Sequence, residues 1–325
     1  MTSTWLIGRG LLGKAVLRQA PGGRIWQART PIPWGSGEEV GAAFHRAAKE
    51  FFDQRCDDDW EVAWCAGAGV VGSDAATFEL EIMAFSSMLA ALDTYGDTAG
   101  KVFFASSVGA IHGGTIGPPF DEGSERVPIS PYGAARLRQE DLLRDWTSSA
   151  GHRAVIARIT NLYGPGQHLG KSQGLISQIC KSYLLRQPIR LYVSLETKRD
   201  YLYVDDAGEM VLASLVDLDE EPGGSVSVRV LGSGVGVTLG GVLQTCARVL
   251  RRPLRVITVQ SELRSMQSVD LRVHPRRPVL LRAGTTSLSV GVRRTFDDQL
   301  RQFQTGRLMS SAVPQEPRRE KVGAT

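Results

Sequence analysis

The chain has few cysteines and few histidines, and neither type clusters. Cys56, Cys65, Cys180 and Cys246 are scattered through 325 residues without metal or redox spacing. They read as free thiols of a reducing compartment. His45, His112, His152, His168 and His274 form no ligand pairs, so no metal site is expected. No apolar run looks long enough to span a bilayer. The first residues, Met1-Thr2-Ser3-Thr4-Trp5-Leu6-Ile7-Gly8, lack the basic start and long apolar region of a signal peptide. A cytoplasmic protein without membrane contact is expected. No internal repeat stands out. A net charge of +4 is interspersed with Asp and Glu, with no continuous basic stripe carrying aromatics. That argues against nucleic acid as partner.

What is present fits a globular α/β chain. Hydrophobic residues make up 42% and charged residues 22%, and the length allows one large domain or two modest ones. Trp5-Leu6-Ile7 is a short apolar strand. Gly8-Arg9-Gly10-Leu11-Leu12-Gly13 follows, and Lys14 to Ala20 reads as a helix stopped near Pro21-Gly22-Gly23. Strand, glycine turn, helix is the context of a dinucleotide site. The glycines permit the tight turn and backbone approach to a pyrophosphate, and the helix N-terminus offers free N–H groups. A plain glycine link between strand and helix has the same composition, and its flanks favour the site. The strand Arg24 to Ala28 is not followed by the acidic residue that would bind the adenosine ribose. Arg29 follows instead, and Arg9 lies in the turn. Two arginines there suit NADP, with NAD as the alternative.

Val40, Phe44, Ala47 and Phe51 recur at helical spacing over 38–55, and Trp60 to Ala66 is a strand. Its end, with Ala66, Gly67 and Ala68, is expected to form a small-residue wall beside the same cofactor. A helix follows over 77–93. The apolar run Val102-Phe103-Phe104-Ala105 is a buried strand that delivers Ser106 and Ser107 to its C-terminal end, where open parallel sheets bind ligands. In Ser130-Pro131-Tyr132-Gly133-Ala134-Ala135-Arg136, Ser130 caps a helix and Pro131 fits its first position. Tyr132 and Arg136 then share a face. A fixed cation beside a phenol favours the phenolate and equips the Tyr for proton transfer. Taken alone, the turn equally fits an exposed helix.

Further on come a strand at 153–159, a helix near 174–186, a strand at 189–193, and a motif at 198–206 that leads into a helix. A strand at 225–231, a helix at 239–250 and a strand at 254–259 follow. A polar tail from about 304 is expected to be disordered. The alternation predicts a doubly wound parallel sheet of Rossmann type over 1–165, with a smaller C-terminal α/β substrate region over 166–303 interleaved with that sheet near 199–235.

The ordered motifs over about residues 5–300 resemble those of extended short-chain dehydrogenase/reductases. More narrowly, they resemble the NAD-dependent epimerase/dehydratase family, which acts largely on nucleotide sugars. The matching stretches are Gly8 to Gly13, Ala105-Ser106-Ser107, Pro119-Phe120-Asp121-Glu122, Ser130 to Gly133, Arg158 to Gly166 and Arg199 to Asp206. The resemblance implies catalytic roles for Ser107, which hydrogen-bonds the reacting oxygen, and for Tyr132, which passes the proton. Arg136 stands where the family carries Lys, at the nicotinamide ribose. Asn161 and Arg199 match residues that hold the nucleotide and diphosphate, and for Arg199 the chemistry agrees. A homodimer is implied through the helices near 80–93 and 133–146.

Arg136 and the missing glycine at Ile7 depart from the family pattern. His112 also departs and is expected in a loop near the mouth of the site, with local acid/base work as an alternative. Val108 and Gly109 follow Ser107 where the family's dehydratases carry an acidic pair, so elimination lacks its acid and base. Reduction of a nucleotide-linked keto-sugar is then the leading expectation. A 4-epimerase with tightly held NAD comes second, and a dinucleotide-binding protein that lost the reaction comes third.

Overall fold

The computed structural model describes residues 3–35, 37–55, 59–67, 69, 73–170, 174–259 and 268–307. In chain order, the first half contains β1 (Ser3–Ile7), α1 (Leu11–Gln19), β2 (Ile25–Trp26), α2 (Gly37–Gln54), β3 (Trp60–Trp64) and α3 (Ala75–Tyr95). It continues with β4 (Lys101–Ser107), the single turn α4 (Val108–Ile111), α5 (Pro131–Ala150) and β5 (Arg153–Ile159). The second half contains β6 (Asn161–Tyr163), α6 (Leu175–Leu184), β7 (Ile189–Leu191), β8 (Lys198–Tyr203) and α7 (Val204–Asp217). After these come β9 (Val226–Leu231), β10 (Gly236–Thr238), α8 (Leu239–Leu250), β11 (Val256–Thr258), β12 (Asp270–Leu271) and α9 (Leu288–Gln304).

The main sheet is parallel throughout, in the order β2-β1-β3-β4-β5-β9. The chain winds outward from β1 to β2, then returns and builds the other way from β3. The switch point between β1 and β3 is therefore the place where such sheets bind ligands. One face is covered by α2, α3 and α5, where Val40, Phe44, Phe51, Phe85, Met88 and Trp146 pack on Trp5, Trp64 and Phe104. Burying each such phenylalanine contributes about 2–3 kcal/mol. The other face is covered by α1 and α7, with Leu12, Val16, Met210, Val211 and Leu215. At the N-terminal ends of the strands, buried Glu61 accepts from Thr4 Oγ1 (2.7 Å), Arg24 Nη2 (2.9 Å) and Lys101 Nζ (3.3 Å). That set of partners lets a carboxylate sit inside a core strand.

α3 corrects one expectation. By length and composition it is long and apolar enough to cross a membrane. Its Phe78, Ile82, Phe85, Met88 and Leu92 are nonetheless buried in the protein, which makes it a core helix.

The C-terminal lobe is smaller. β8 pairs with β6, β10 and β12, β7 pairs with β11, and α6, α8 and α9 pack together around Tyr163, Ile176, Ile179, Val242 and Val292. α7 and β9 return to the main sheet, so the chain crosses between the two regions within 204–231.

Candidate active site

A cleft of about 1060 Å³ opens at the C-terminal ends of β1, β3, β4 and β5 and continues into the C-terminal lobe. Its lining joins Gly10, Leu11 and Leu12 to Ala66, Gly67 and Gly69, then to Ser107, Tyr132 and Arg136, and at the far end to Asn161 and Arg199. Ala68 lies outside the described residues.

The glycine turn is built for close approach. Gly8 has φ +104°, and a Cβ there would sit 2.6 Å from the backbone of Cys65 and Ala66. A Cβ on Gly13 would meet the Gly8 carbonyl oxygen at 1.9 Å. Gly10 faces open space, precedes α1 as its N-cap and offers no side-chain cap to the first-turn N–H groups. Leu11 and Leu12 of that turn line the cleft. An uncapped helix start beneath an open glycine is a ready anion cradle, so these residues fit the pyrophosphate of a dinucleotide. Arg9 reaches Gln27, just past β2, at 3.2 Å. Arg29 forms an ion pair with Glu50 at 3.1 Å and is largely exposed.

β4 delivers Ser107, whose Oγ accepts from Ala110 N at 3.4 Å and caps α4. Accepting there leaves the hydroxyl hydrogen free to donate into the cleft. Its neighbour Ser106 is buried and donates to Glu140 Oε1 at 2.7 Å. The helix start at Ser130 forms as its sequence predicts. Ser130 Oγ accepts from Gly133 N at 3.1 Å, with Pro131 in the first turn of α5. Tyr132 and Arg136 do share a face, and the Arg136 guanidinium carbon lies 5.4 Å from the Tyr132 ring centroid and 5.8 Å from that of Phe104.

Arg136 is buried and held by two partners. Its Nη1 donates to Gln139 Oε1 at 3.1 Å, and its Nη2 lies 3.6 Å from Glu81 Oε2. Glu81 Oε1 in turn accepts from Gly69 N at 2.6 Å. A Cβ on Gly67 would meet Arg136 Nη2 at 2.2 Å. The larger fork of an arginine thus fits against the β3 turn because residue 67 has no side chain. Glu81 was not picked out from the sequence, although a signal was there. It falls in the helical stripe Phe78, Phe85, Met88, Leu92 of α3, where a carboxylate needs a partner.

His112 is fully buried, not a loop residue at the mouth. It stacks on Phe120, receives Arg158 Nη1 at Nε2 (3.3 Å), and its Nδ1 bonds the Glu125 carbonyl at 2.7 Å. Those partners assign the neutral Nδ1–H tautomer. Burial first, with Arg158 adding to it, holds its pKa below the usual histidine range. Arg158 also pairs with Glu140 at 2.9 Å. His112 therefore braces the floor behind Ser106.

At the far end, Asn161 Nδ2 donates to the Asp200 carbonyl at 2.9 Å. Arg199 is buried and donates to the carbonyls of Lys198 (2.8 Å) and Ser268 (2.7 Å). Desolvation lowers its pKa from the usual arginine value. Neighbouring Asp200 is sealed in and accepts from Thr160 Oγ1, Ser233 N and Ser233 Oγ at 2.8–2.9 Å. Burial pushes its carboxyl upward. Gln167, Gln178, Arg190, Thr197 and Tyr201 also line this end. Gln178 lies on α6, Gln167, Arg190 and Thr197 lie on a short strand and connections without a period, and Tyr201 belongs to the stretch Arg199 to Asp206, so no local pattern singled out the first four. Burial pushes the Cys65 thiol and the Tyr201 phenol up to about 12, which leaves Cys65 inert as a nucleophile. No cluster of metal-ligating side chains occurs among the described residues.

Comparison with known proteins bears on the family and the fold. The model of the NAD dependent epimerase/dehydratase family matches residues 45–228. A dTDP-4-dehydro-6-deoxyglucose reductase of Escherichia coli is 32% identical over 151 residues, 46% of either chain. A UDP-glucose 4-epimerase of Azospirillum brasilense is 32% identical over 162 residues, again 46% of either chain. The chain thus spans about half the length of the curated relatives it matches. The crystal structure of a UDP-glucose 4-epimerase with UDP-glucose from Thermotoga maritima superposes with a TM-score of 0.76. Identity there is 20%, over 93% of this chain and all of the other. At that identity the likeness is one of fold.

Proposed function

The chain belongs to the NAD dependent epimerase/dehydratase family, and from that premise we propose that it is an NAD(P)-linked oxidoreductase reducing a nucleotide-linked keto-sugar. The observation that carries this reading is the single cleft. It runs from the uncapped start of α1, past Ser107, Tyr132 and Arg136, to Asn161 and Arg199. The dinucleotide, when bound, supplies the hydride. Gly8 to Gly13 with Ala66 and Gly67 hold it against the ends of β1 and β3. Ser107 donates its free hydroxyl hydrogen to the carbonyl oxygen of the substrate, and Tyr132 gives that oxygen a proton. Arg136 flanks the Tyr132 ring and is kept in place by Glu81 and Gln139. Arg199 uses its remaining N–H groups, and Asn161 its carbonyl oxygen, for the nucleotide end.

Val108 and Gly109 occupy the positions after Ser107, so no carboxylate stands there to eliminate water. NADP is preferred on Arg9, the cation held at the end of β2. Arg29 contributes less, being engaged by Glu50. Arg9→Ala is expected to weaken NADPH binding about ten-fold, on the scale of one charge-assisted contact, and to spare NADH. A 4-epimerase with tightly held NAD is the second reading, favoured by the UDP-glucose 4-epimerase among the relatives. A homodimer through the outer faces of α3 and α5 belongs to either reading.

Mass spectrometry of the denatured protein tests the cofactor, and turnover of nucleotide keto-sugars with NADPH tests the reaction. Tyr132→Phe should lower kcat by roughly 10²–10⁴-fold with little change in cofactor binding. Unchanged turnover in that variant would overturn the site. Cofactor binding without turnover of any nucleotide keto-sugar or epimer pair would point to a protein that binds the dinucleotide only.

A further inference from the structure

The ends of α6 and α8 are built alike. Leu185-Arg186-Gln187-Pro188-Ile189-Arg190-Leu191 leads out of α6 into β7, and Leu250-Arg251-Arg252-Pro253-Leu254-Arg255-Val256 leads out of α8 into β11. The two stretches form a short internal correspondence of seven residues, too brief to stand out as a repeat. Arg186 has φ +56° and Arg251 φ +57°, and among the described residues they are the two non-glycine residues with positive φ. That left-handed position after a helix is normally given to glycine or asparagine.

The two turns lie side by side. Tyr183 Oη donates to the Leu250 carbonyl at 3.1 Å, Ile189 N donates to the Arg255 carbonyl at 2.8 Å, and Arg190 pairs in register with Ile257. Arg186, Arg190, Arg248, Arg251, Arg252 and Arg255 are all exposed. Stretches 174–195 and 239–259 contain no Asp or Glu. None of the six arginines has an ion-pair partner among the described residues. A cation at each helix C-terminus favours the helix dipole. That accounts for one arginine per turn, but not for six, nor for the left-handed backbone. Tyr192, Val256 and Ile257, each 39–48% exposed, stand among them.

We propose that this face docks the protein on an anionic phospholipid surface. Guanidinium groups pair with lipid phosphates, and each cation near such a surface adds to the attraction. Exposed β-branched residues and a tyrosine suit the boundary between headgroups and acyl chains. A single-stranded nucleic acid would instead call for several aromatic stacking platforms, and the patch has one tyrosine; a duplex offers phosphates but no apolar layer for the exposed Val256 and Ile257. Gln187, Arg190 and Tyr192 also line the cleft, so docking sets the substrate end of the cleft beside the lipid surface.

The test is co-sedimentation of the full chain with phosphatidylcholine vesicles, with and without phosphatidylserine, beside a duplex DNA retention assay. Binding is expected to vesicles containing phosphatidylserine alone, and to fall steeply with salt as the charges are screened. Arg186→Gly/Arg251→Gly removes two charges at positions where glycine fits the backbone. It should weaken vesicle binding about 25-fold, five-fold per charge, with thermal stability retained. Arg252→Glu/Arg255→Glu, on the exposed connection, should abolish it. Equal binding to neutral vesicles, no binding to anionic ones, tighter retention of DNA, or undiminished binding by both variants would each overturn the proposal.

Discussion

Arg136 cannot be understood without Glu81. An arginine at that position could look like a coarse copy of a lysine. In the fold it is half of a buried pair, wedged against Gly67 and tied through Glu81 to the Gly69 amide. Removing one partner strands the other charge, so Glu81→Ala is expected to cost about 3 kcal/mol of stability in urea unfolding. The double variant Glu81→Ala/Arg136→Met should cost less than the sum of the two single changes, because neither charge is then left alone. Strict additivity would show that the pair carries no coupling. Arg136→Lys should not raise turnover, since a lysine abandons the Gln139 contact and the space beside Gly67. At the glycine turn, Gly13→Ala should abolish dinucleotide binding, because its Cβ has no room beside the Gly8 carbonyl. Isothermal titration with NADPH reads that loss directly.

Among the elements, α5 matters most to the site because Tyr132 rides in its first turn. Ser130→Ala removes the hydrogen bond to Gly133 N and is expected to cost about 1 kcal/mol. It should also lower kcat, since fraying of that turn displaces the phenol. A stability loss without any change in kcat would show that Tyr132 is held by the packing of its ring on Phe78 rather than by the cap. The long helices and buried strands were legible because their periods are long enough to read. The helix over 239–250 and the strand over 153–159 sit at the residues their patterns mark. β6, β10 and β12 were not: each has two or three residues, too few to show alternation, and the equally short β2, β7 and β11 were legible only as parts of the longer stretches 24–28, 189–193 and 254–259. β8 read as a motif rather than as a strand, and α9 was not foreseen, with its apolar positions few among Arg, Asp and Gln.

At the scale of the molecule, two neutral histidines link the fold to pH. His112 is sealed between Phe120, Arg158 and the Glu125 carbonyl. His152 stacks on Trp146 at 4.1 Å and accepts from Gly100 N at 3.0 Å. Burial is the leading cause of a lowered pKa in both. The folded state therefore holds fewer protons than the unfolded chain just below the ordinary value of 6.5. Their contribution is full above that value and is lost as the pH falls through it toward the folded pKa. Calorimetry across that range should show Tm falling on acidification, with a smaller fall in His112→Gln. An acid limb of unchanged slope in that variant would remove His112 from the account.

The sequence by itself determined the alternation of strands and helices, the glycine turn, the capped Tyr132 turn and the identity of Ser107, Asn161 and Arg199. The first three are local features, written in spacing and in residues with special backbone or capping chemistry, whereas Asn161, Arg199 and the role of Ser107 were marked by the motifs that resemble the family's. Tertiary structure alone decided which of them face one cleft. It also decided that Arg136 is neutralised by Glu81, that His112 is buried as a brace, and that two arginine turns from distant stretches stand side by side. Each of those depends on which faces of separate elements are brought together when the sheet and the C-terminal lobe close over their cores, and no window of sequence contains both partners.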